Sequence, residues 1–287
     1  MSMRTGTGTR GMAAVIAAVA VLVTALFTAP AAQAQAGRAY VAMGDSFPAN
    51  PAIPEQLDGF FRGYCSQRDD AYPDLVGRDY FGGDYVNLAC NGNSLSGGAG
   101  PSLVSKMNAA HARGEIGPAT RLVTITAGAA EGWNPATPRG RDFGIIDGAD
   151  HVTPQRWVER MGPVIGRINQ LAPNARIMFV SYPEIGDGNG NLCLATFSGG
   201  SAHLPVPVPL NVERFIDTVN STAAAHQHLG YEYVDTDRPG TGTCAPVGNQ
   251  WVRSVFDIPG AGDGLRMPFH PTALGERAVA DIVMSRL

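Results

Sequence analysis

The sequence predicts a three-layer α/β/α domain built on a parallel sheet of about five strands, on three observations. Segments of strand character alternate with segments of helical period along the chain. Each strand-like segment is nearly unbroken in apolar residues, the pattern of strands covered on both faces rather than one. The chain beyond an N-terminal leader, about 250 residues, is the size of one domain with a large core.

Residues 1–36 carry Arg4 and Arg10 and no acid, then an apolar run from Met12 to Ala29, then Ala32-Gln33-Ala34 and Ala34-Gln35-Ala36. A charged start, an apolar centre and two overlapping small-x-small sites are the parts of a secretory signal peptide. The expected division is therefore a signal peptide over 1–36 and a single domain over 37–287. Export to the extracellular side is expected, with no membrane anchor left after cleavage.

The first predicted strand starts at Tyr40 and breaks into Gly44-Asp45-Ser46. Residues 47–71, rich in Pro, Gly, Asp and aromatics, read as a long loop. A short helix is expected over 72–80, with Pro73 in the first turn, where its missing N–H does no harm. The second strand, 85–89, breaks at Cys90-Asn91-Gly92-Asn93-Ser94. A helix over 103–112 precedes the β-branched third strand at 121–127, which ends at Gly128. After a Gly/Pro/Asp-rich excursion over 131–150, Thr153 caps a helix running to Leu171. Pro154 takes its first position, and Trp157, Met161, Val164, Ile165, Ile168 and Leu171 recur at helical spacing. The fourth strand, 176–182, is stopped by Pro183. A loop over 184–209 then leads to a helix over 212–229, a short fifth strand at 231–234, irregular chain over 236–269 and a closing helix over 271–287. Within the loop, residues 204–210 alternate Pro with apolar residues and read as an extended connector or the lip of an apolar pocket.

Charge excludes two classes of partner. The chain has 21 basic and 25 acidic residues, and the leader removes two arginines and no acid, taking the net charge from −4 to −6. Lys106 is the only lysine and the arginines are scattered, so neither nucleic acid nor an anionic membrane surface is favoured. The four cysteines, Cys65, Cys90, Cys193 and Cys244, form no Cys-x-x-Cys pair. An even number in an oxidising compartment reads as two disulfides, with three connectivities open. Cys65–Cys90 and Cys193–Cys244 are expected, because each pair closes loop-rich sequence around the strand ends. On the chain-entropy account each contributes about 3 to 4 kcal/mol.

In a parallel sheet, ligands bind beyond the carboxyl ends of the strands, which is where Ser46 falls. Far away in sequence, Phe269-His270-Pro271 opens the last predicted helix. A serine and a histidine make a nucleophile and a base if the fold joins them. The other histidines, His111, His151, His203, His226 and His228, have no evident partners. His226 and His228, two apart on a predicted helix, point to different faces and make no metal pair. Asp187-Gly188-Asn189-Gly190-Asn191 has the first half of a calcium loop, but Leu192 and Ser198 occupy the sixth and twelfth positions, so it reads as a Gly/Asn turn. Neither a metal nor a cofactor is expected. Phe60, Phe61, Trp133 and Trp251 fall in loops and suit either an apolar acyl cleft or packing beneath a disulfide.

Taken in order, Gly44-Asp45-Ser46, Asn91-Gly92-Asn93, the turn at Gly128 and Phe269-His270-Pro271 resemble the SGNH (GDSL-type) hydrolases, most closely their secreted actinobacterial-type esterases and lipases. The resemblance covers residues 39–287, including the four cysteines and Asn174-Ala175-Arg176 before the fourth strand. It implies a flavodoxin-like fold, Ser46 as nucleophile and His270 as general base. It also implies an oxyanion hole that uses the N–H groups of Ser46 and Gly92. The implied reaction is hydrolysis of a small-molecule or lipid ester by a monomer without a cofactor.

Three positions depart from the family pattern. The aspartate often found three residues before the histidine is Met267 here. The Met267 carbonyl is then the expected orienting group, with Asp257 and Asp263 as the nearby acids. The asparagine of the family's Gly-x-Asn-Asp motif aligns with Ala130, while Gly132-Trp133-Asn134 restores the pattern four residues later and offers Asn134 as third oxyanion donor. Asn50 stands where the pattern often has glycine. Two alternatives accompany the esterase reading: acyl transfer through the same acyl-enzyme, and a weakly active or non-catalytic secreted binding protein that keeps the fold.

Overall fold

Strands β1 (Tyr40–Gly44), β2 (Tyr85–Asn87), β3 (Leu122–Thr126), β4 (Arg176–Val180) and β5 (Glu232–Val234) form one parallel sheet in the order β2-β1-β3-β4-β5. The computed structural model describes residues 36–97, 101–132, 152–196, 205–206, 212–254, 256–257 and 266–287. The signal-peptide reading falls, apart from residue 36, outside them. Residues from Ala36 onward make one compact unit.

Period-two alternation sorts each strand between two apolar layers. Val41 and Met43 of β1, Val123 and Ile125 of β3 and Ile177 and Phe179 of β4 face one layer. There they meet Met107 of α4 (Leu103–Ala112), Trp157, Met161, Val164 and Ile168 of α5 (Pro154–Leu171), and Phe215 and Val219 of α6 (Val212–Ala225). Tyr40, Ala42, Leu122, Met178, Val180 and Val234 face the other layer, against Tyr72 and Val76 of α3 (Tyr72–Asp79) and Val279, Ala280 and Val283 of α7 (Ala273–Met284). Burial on both faces is why the strands read as continuous apolar runs.

Register is uniform across the centre of the sheet. Val41 lies beside Val86 and Val123, and Val123 beside Ile177. The strand order turns back between β1 and β3, and the crevice at such a switch point is where α/β sheets place ligands.

Residues 47–71 are not the loop the sequence predicts. They include α1 (Ser46–Ala49, beginning one residue earlier) and α2 (Ile53–Arg62). Ile53, Leu57, Phe60 and Phe61 have helical spacing, and the Glu55 carboxylate reaches back to accept from Ala52 N at 2.9 Å, a helix-start contact. Gly59 conceals the period. It is needed because a Cβ there would lie 2.5 Å from Ser66 Oγ and 2.8 Å from Tyr64 O. Both expected disulfides are present, Cys65–Cys90 and Cys193–Cys244, closing separations of 25 and 51 residues. Short ladders join Leu192–Cys193 to Pro205–Val206 and Ala195–Thr196 to Phe256–Asp257.

Candidate active site

Ser46 is positioned by the way β1 ends. A Cβ on Gly44 would lie 2.2 Å from the Thr126 carbonyl oxygen, so only glycine allows β1 and β3 to end in such close contact. Asp45 then caps α1: its N–H donates to Thr126 O at 3.1 Å and its Oδ1 accepts from Phe47 N at 2.9 Å. Ser46 is thereby the first helical residue, beyond the carboxyl edge of the sheet. The Tyr182 hydroxyl donates to Asp45 Oδ2 and accepts from Ala129 N at 3.1 Å, tying the chain after β1, β3 and β4 together. Burial pushes the Asp45 carboxyl up to about 7, against the pull of the Tyr182 and Phe47 donors.

His270 is held by a short antiparallel pairing. Phe269 N donates to Arg253 O at 3.1 Å, Arg253 N to His270 O at 3.0 Å and Thr272 N to Trp251 O at 2.8 Å. Thr272 Oγ1 then accepts from Gly275 N at 3.1 Å and caps α7. His270 Nε2 lies 2.8 Å from Ser46 Oγ, and His270 Nδ1 lies 2.8 Å from the Pro268 carbonyl oxygen. A carbonyl only accepts, so Nδ1 carries the proton. In the neutral ring Nε2 is then the acceptor, and the Ser46 hydroxyl donates to it. Burial of the ring lowers its pKa to about 4; the Pro268 bond opposes the fall and the charge of buried Arg253 adds to it.

The orienting carbonyl is therefore that of Pro268, not Met267 as the sequence predicts. The reason is Phe269, which adopts φ +60°. This left-handed residue turns the chain so that the carbonyl two residues before the histidine faces Nδ1, at a backbone cost of about 1 to 2 kcal/mol. Packing of Phe269 against the main core offsets that cost. Met267 takes another part, its sulfur accepting from Asn91 Nδ2 at 3.3 Å.

The turn after β2 is drawn over the end of β1. Cys90 N donates to Gly44 O at 3.1 Å, and Asn93 Nδ2 donates to the same oxygen at 3.2 Å. Gly92 lies within this turn at φ +75°, next but one to the disulfide-bonded Cys90. Neither Ser46 N nor Gly92 N donates to a backbone carbonyl or side chain among the described residues. Ala130, in the tight turn Ala129–Gly132, offers no side-chain donor. Its neighbour Glu131 is buried and accepts from Leu95 N, Ser96 Oγ and Arg160 Nη1, joining the chain after β2 to α5. Burial raises the Glu131 carboxyl, with Arg160 opposing.

Asn134, Trp133 and Asp263 lie outside the described residues, as do His151, His203 and the side chains of Phe60 and Asp257. Phe61 is exposed on α2, and Trp251 sits in the pairing that carries His270. His226 and His228 do not share a regular helix: α6 stops at Ala225 and their rings lie 5.4 Å apart. The Asp187 segment is the expected turn, with Asp187 Oδ1 accepting from Asn189 N and Asn191 N.

Known proteins resemble this chain over nearly its whole length. Lipase 2 of Streptomyces coelicolor is 25% identical over 97% of this chain and 97% of its own. Lipase 1 of the same organism is 24% identical over 92% of each. Among solved structures, the extracellular lipase of Streptomyces rimosus superposes with a TM-score of 0.57 at 20% identity, covering 86% of this chain and 99% of that one. A phospholipase A1 from Streptomyces albidoflavus does so with the same score and identity over 88% and 100%. No protein-family model matches the chain. The strand order, the ordered strand-end motifs and these relatives agree: the fold is the flavodoxin-like α/β fold of the Streptomyces lipase structures, and the chain is similar to the SGNH hydrolases along nearly its whole length.

Proposed function

We propose that this protein is an extracellular serine esterase or lipase that cleaves carboxylic esters through an acyl-enzyme on Ser46, with His270 as general base. The observation that carries the reading is the 2.8 Å contact between Ser46 Oγ and His270 Nε2, made by residues 224 apart in sequence. A serine hydroxyl is a weak nucleophile until a base takes its proton, and an imidazole whose Nδ1–H is held by a carbonyl presents its lone pair for that task. The named activities of the Streptomyces relatives, lipase and phospholipase A1, support an ester with a fatty acyl chain. Leu57 and Phe61, exposed on the helix that comes after the nucleophile, add apolar surface on the same stretch of chain.

In this mechanism Ser46 Oγ attacks the ester carbonyl as its proton passes to His270 Nε2. Negative charge develops on the carbonyl oxygen and is met by the N–H groups of Ser46 and Gly92. Collapse breaks the C–O bond, and Nε2 returns the proton to the leaving alkoxide. Water then attacks the acyl-enzyme with the same base, releasing the acid. The Pro268 carbonyl fixes the ring but stabilises the imidazolium less than a carboxylate would. Ala130 cannot supply the family's third donor, so Asn134 is the side chain left to do so; if Asn134 supplies it, Asn134→Ala is expected to lower the turnover number by about 10²- to 10³-fold.

The test is the pH profile of kcat/KM on p-nitrophenyl butyrate and palmitate. His270 works as a base only when neutral, so activity rises with pH through the pKa of the free ring. The expected acid limb is centred near pH 4, where burial places that pKa, with a plateau above pH 5. No turnover of either ester, or a kcat/KM that does not fall on the acid side, would contradict the reading.

A further inference from the structure

We propose that Asn50 is a positioning residue, whose carboxamide clamps the helix bearing Ser46 to the segment bearing His270 through the Pro271 carbonyl and the buried Glu276 carboxyl. The inference rests on the Ser46/His270 reading and concerns what holds those two residues in register.

Asn50 ends the nucleophile's helix: its N–H donates to Ser46 O at 2.8 Å. From there its Nδ2 donates to Pro271 O at 2.9 Å and to Glu276 Oε1 at 2.6 Å, across 221 and 226 residues of sequence. Pro271 is the residue after His270. Glu276 belongs to α7, and its second oxygen accepts from Tyr72 N, at the start of α3, at 2.6 Å. One buried carboxyl thus gathers the turn after Ser46, the helix after His270 and the N-terminus of α3. Burial pushes it up to about 8, against the Asn50 and Tyr72 donors.

The backbone explains why asparagine is informative here. Asn50 has φ +36°, in the left-handed region where glycine carries no steric cost. Both Asn50 and Glu276 are fully buried, and Asn50 Oδ1 has no hydrogen-bond partner among the described residues. Glycine would relieve the backbone and remove the unpaired Oδ1, but it would also take the donor away from Pro271 O and Glu276 Oε1. What asparagine adds is the pair of Nδ2 hydrogen bonds. Because reacting atoms misplaced by about 1 Å lose about 10²-fold in rate, a bond pair joining the two halves of the dyad acts on turnover rather than on binding.

The experiment is Asn50→Gly, which suits the backbone and removes both Nδ2 hydrogen bonds while leaving the Ser46 and His270 side chains in place, with a thermal melt to measure what the lost buried side chain costs in stability. The expected result is kcat on p-nitrophenyl butyrate lowered about 10- to 100-fold with KM within about twofold of wild type. Its crystal structure should show Ser46 Oγ and His270 Nε2 beyond hydrogen-bond reach. Glu276→Gln retains one acceptor for two donors and should lower kcat as well. The double variant should lose less than the product of the two single losses, because both break one network. Unchanged kcat with an unchanged Ser46–His270 separation in Asn50→Gly would overturn the clamp, as would fully multiplicative losses. The ester reading fails separately, when wild type and Ser46→Ala hydrolyse equally. In that case the separation in Asn50→Gly still decides whether the clamp exists.

Discussion

Ser46→Ala is expected to lower kcat/KM for ester hydrolysis by about 10⁴- to 10⁶-fold while leaving the fold intact. On the proposed mechanism the substitution removes the one atom that attacks the carbonyl. His270 then keeps its Nδ1–H bond to Pro268 and loses only the hydroxyl at Nε2. Ser46 is half-buried at the start of a four-residue helix, so little packing is lost and stability should change by about 0.5 kcal/mol or less. Residual rate comes from the oxyanion donors and from substrate positioning. His270→Ala should cost nearly as much, and the double variant hardly more, because base and nucleophile act as a unit. Steady-state rates of the purified variants on p-nitrophenyl butyrate, with thermal melts alongside, check all three.

Replacing both Cys65 and Cys90 by serine is expected to destabilise the protein by about 3 to 4 kcal/mol. The disulfide closes a 25-residue separation and anchors the loop after α2 to the turn that carries Gly92. Gln67 Nε2 still donates to Ala89 O at 2.6 Å without it, so the loop keeps one tie to the same strand end. That bond does not fix Cys90 itself, two residues before Gly92. Turnover should therefore fall along with the urea midpoint, because the N–H of Gly92 loses its rigid support. A loss below about 1 kcal/mol with unchanged kcat would show that the hydrogen bonds to Gly44 O suffice to hold the turn.

The residues proposed to bear chemistry could be picked out because the motifs sit at strand ends and strand ends are legible. The apolar runs before Ser46 and Gly128 reported strands buried on both faces, and the order of motifs joined Ser46 to His270. The orienting group was not legible. Whether Met267 or Pro268 offers its carbonyl depends on the left-handed conformation of Phe269, a residue type that gives no warning of positive φ. Helix α2 was hidden by Gly59, whose presence answers to a tertiary contact with Ser66 rather than to helix propensity. The Asn50–Glu276 and Glu131–Arg160 connections join residues on different elements, and neither leaves a period to read. At Ala130 the sequence showed the loss of a donor, and the structure shows its neighbour Glu131 engaged in holding two loops and α5 together.

The most direct test of the central claim is covalent capture of the nucleophile. Treating the folded protein with a fluorophosphonate and locating the added mass by peptide sequencing should place it on Ser46 alone. Labelling should be absent in Ser46→Ala and at least about 10³-fold slower in His270→Ala, since the imidazole is what makes the hydroxyl reactive. Adduct on another residue, or labelling of wild type no faster than of His270→Ala, would contradict the assignment of Ser46 and His270 as nucleophile and base.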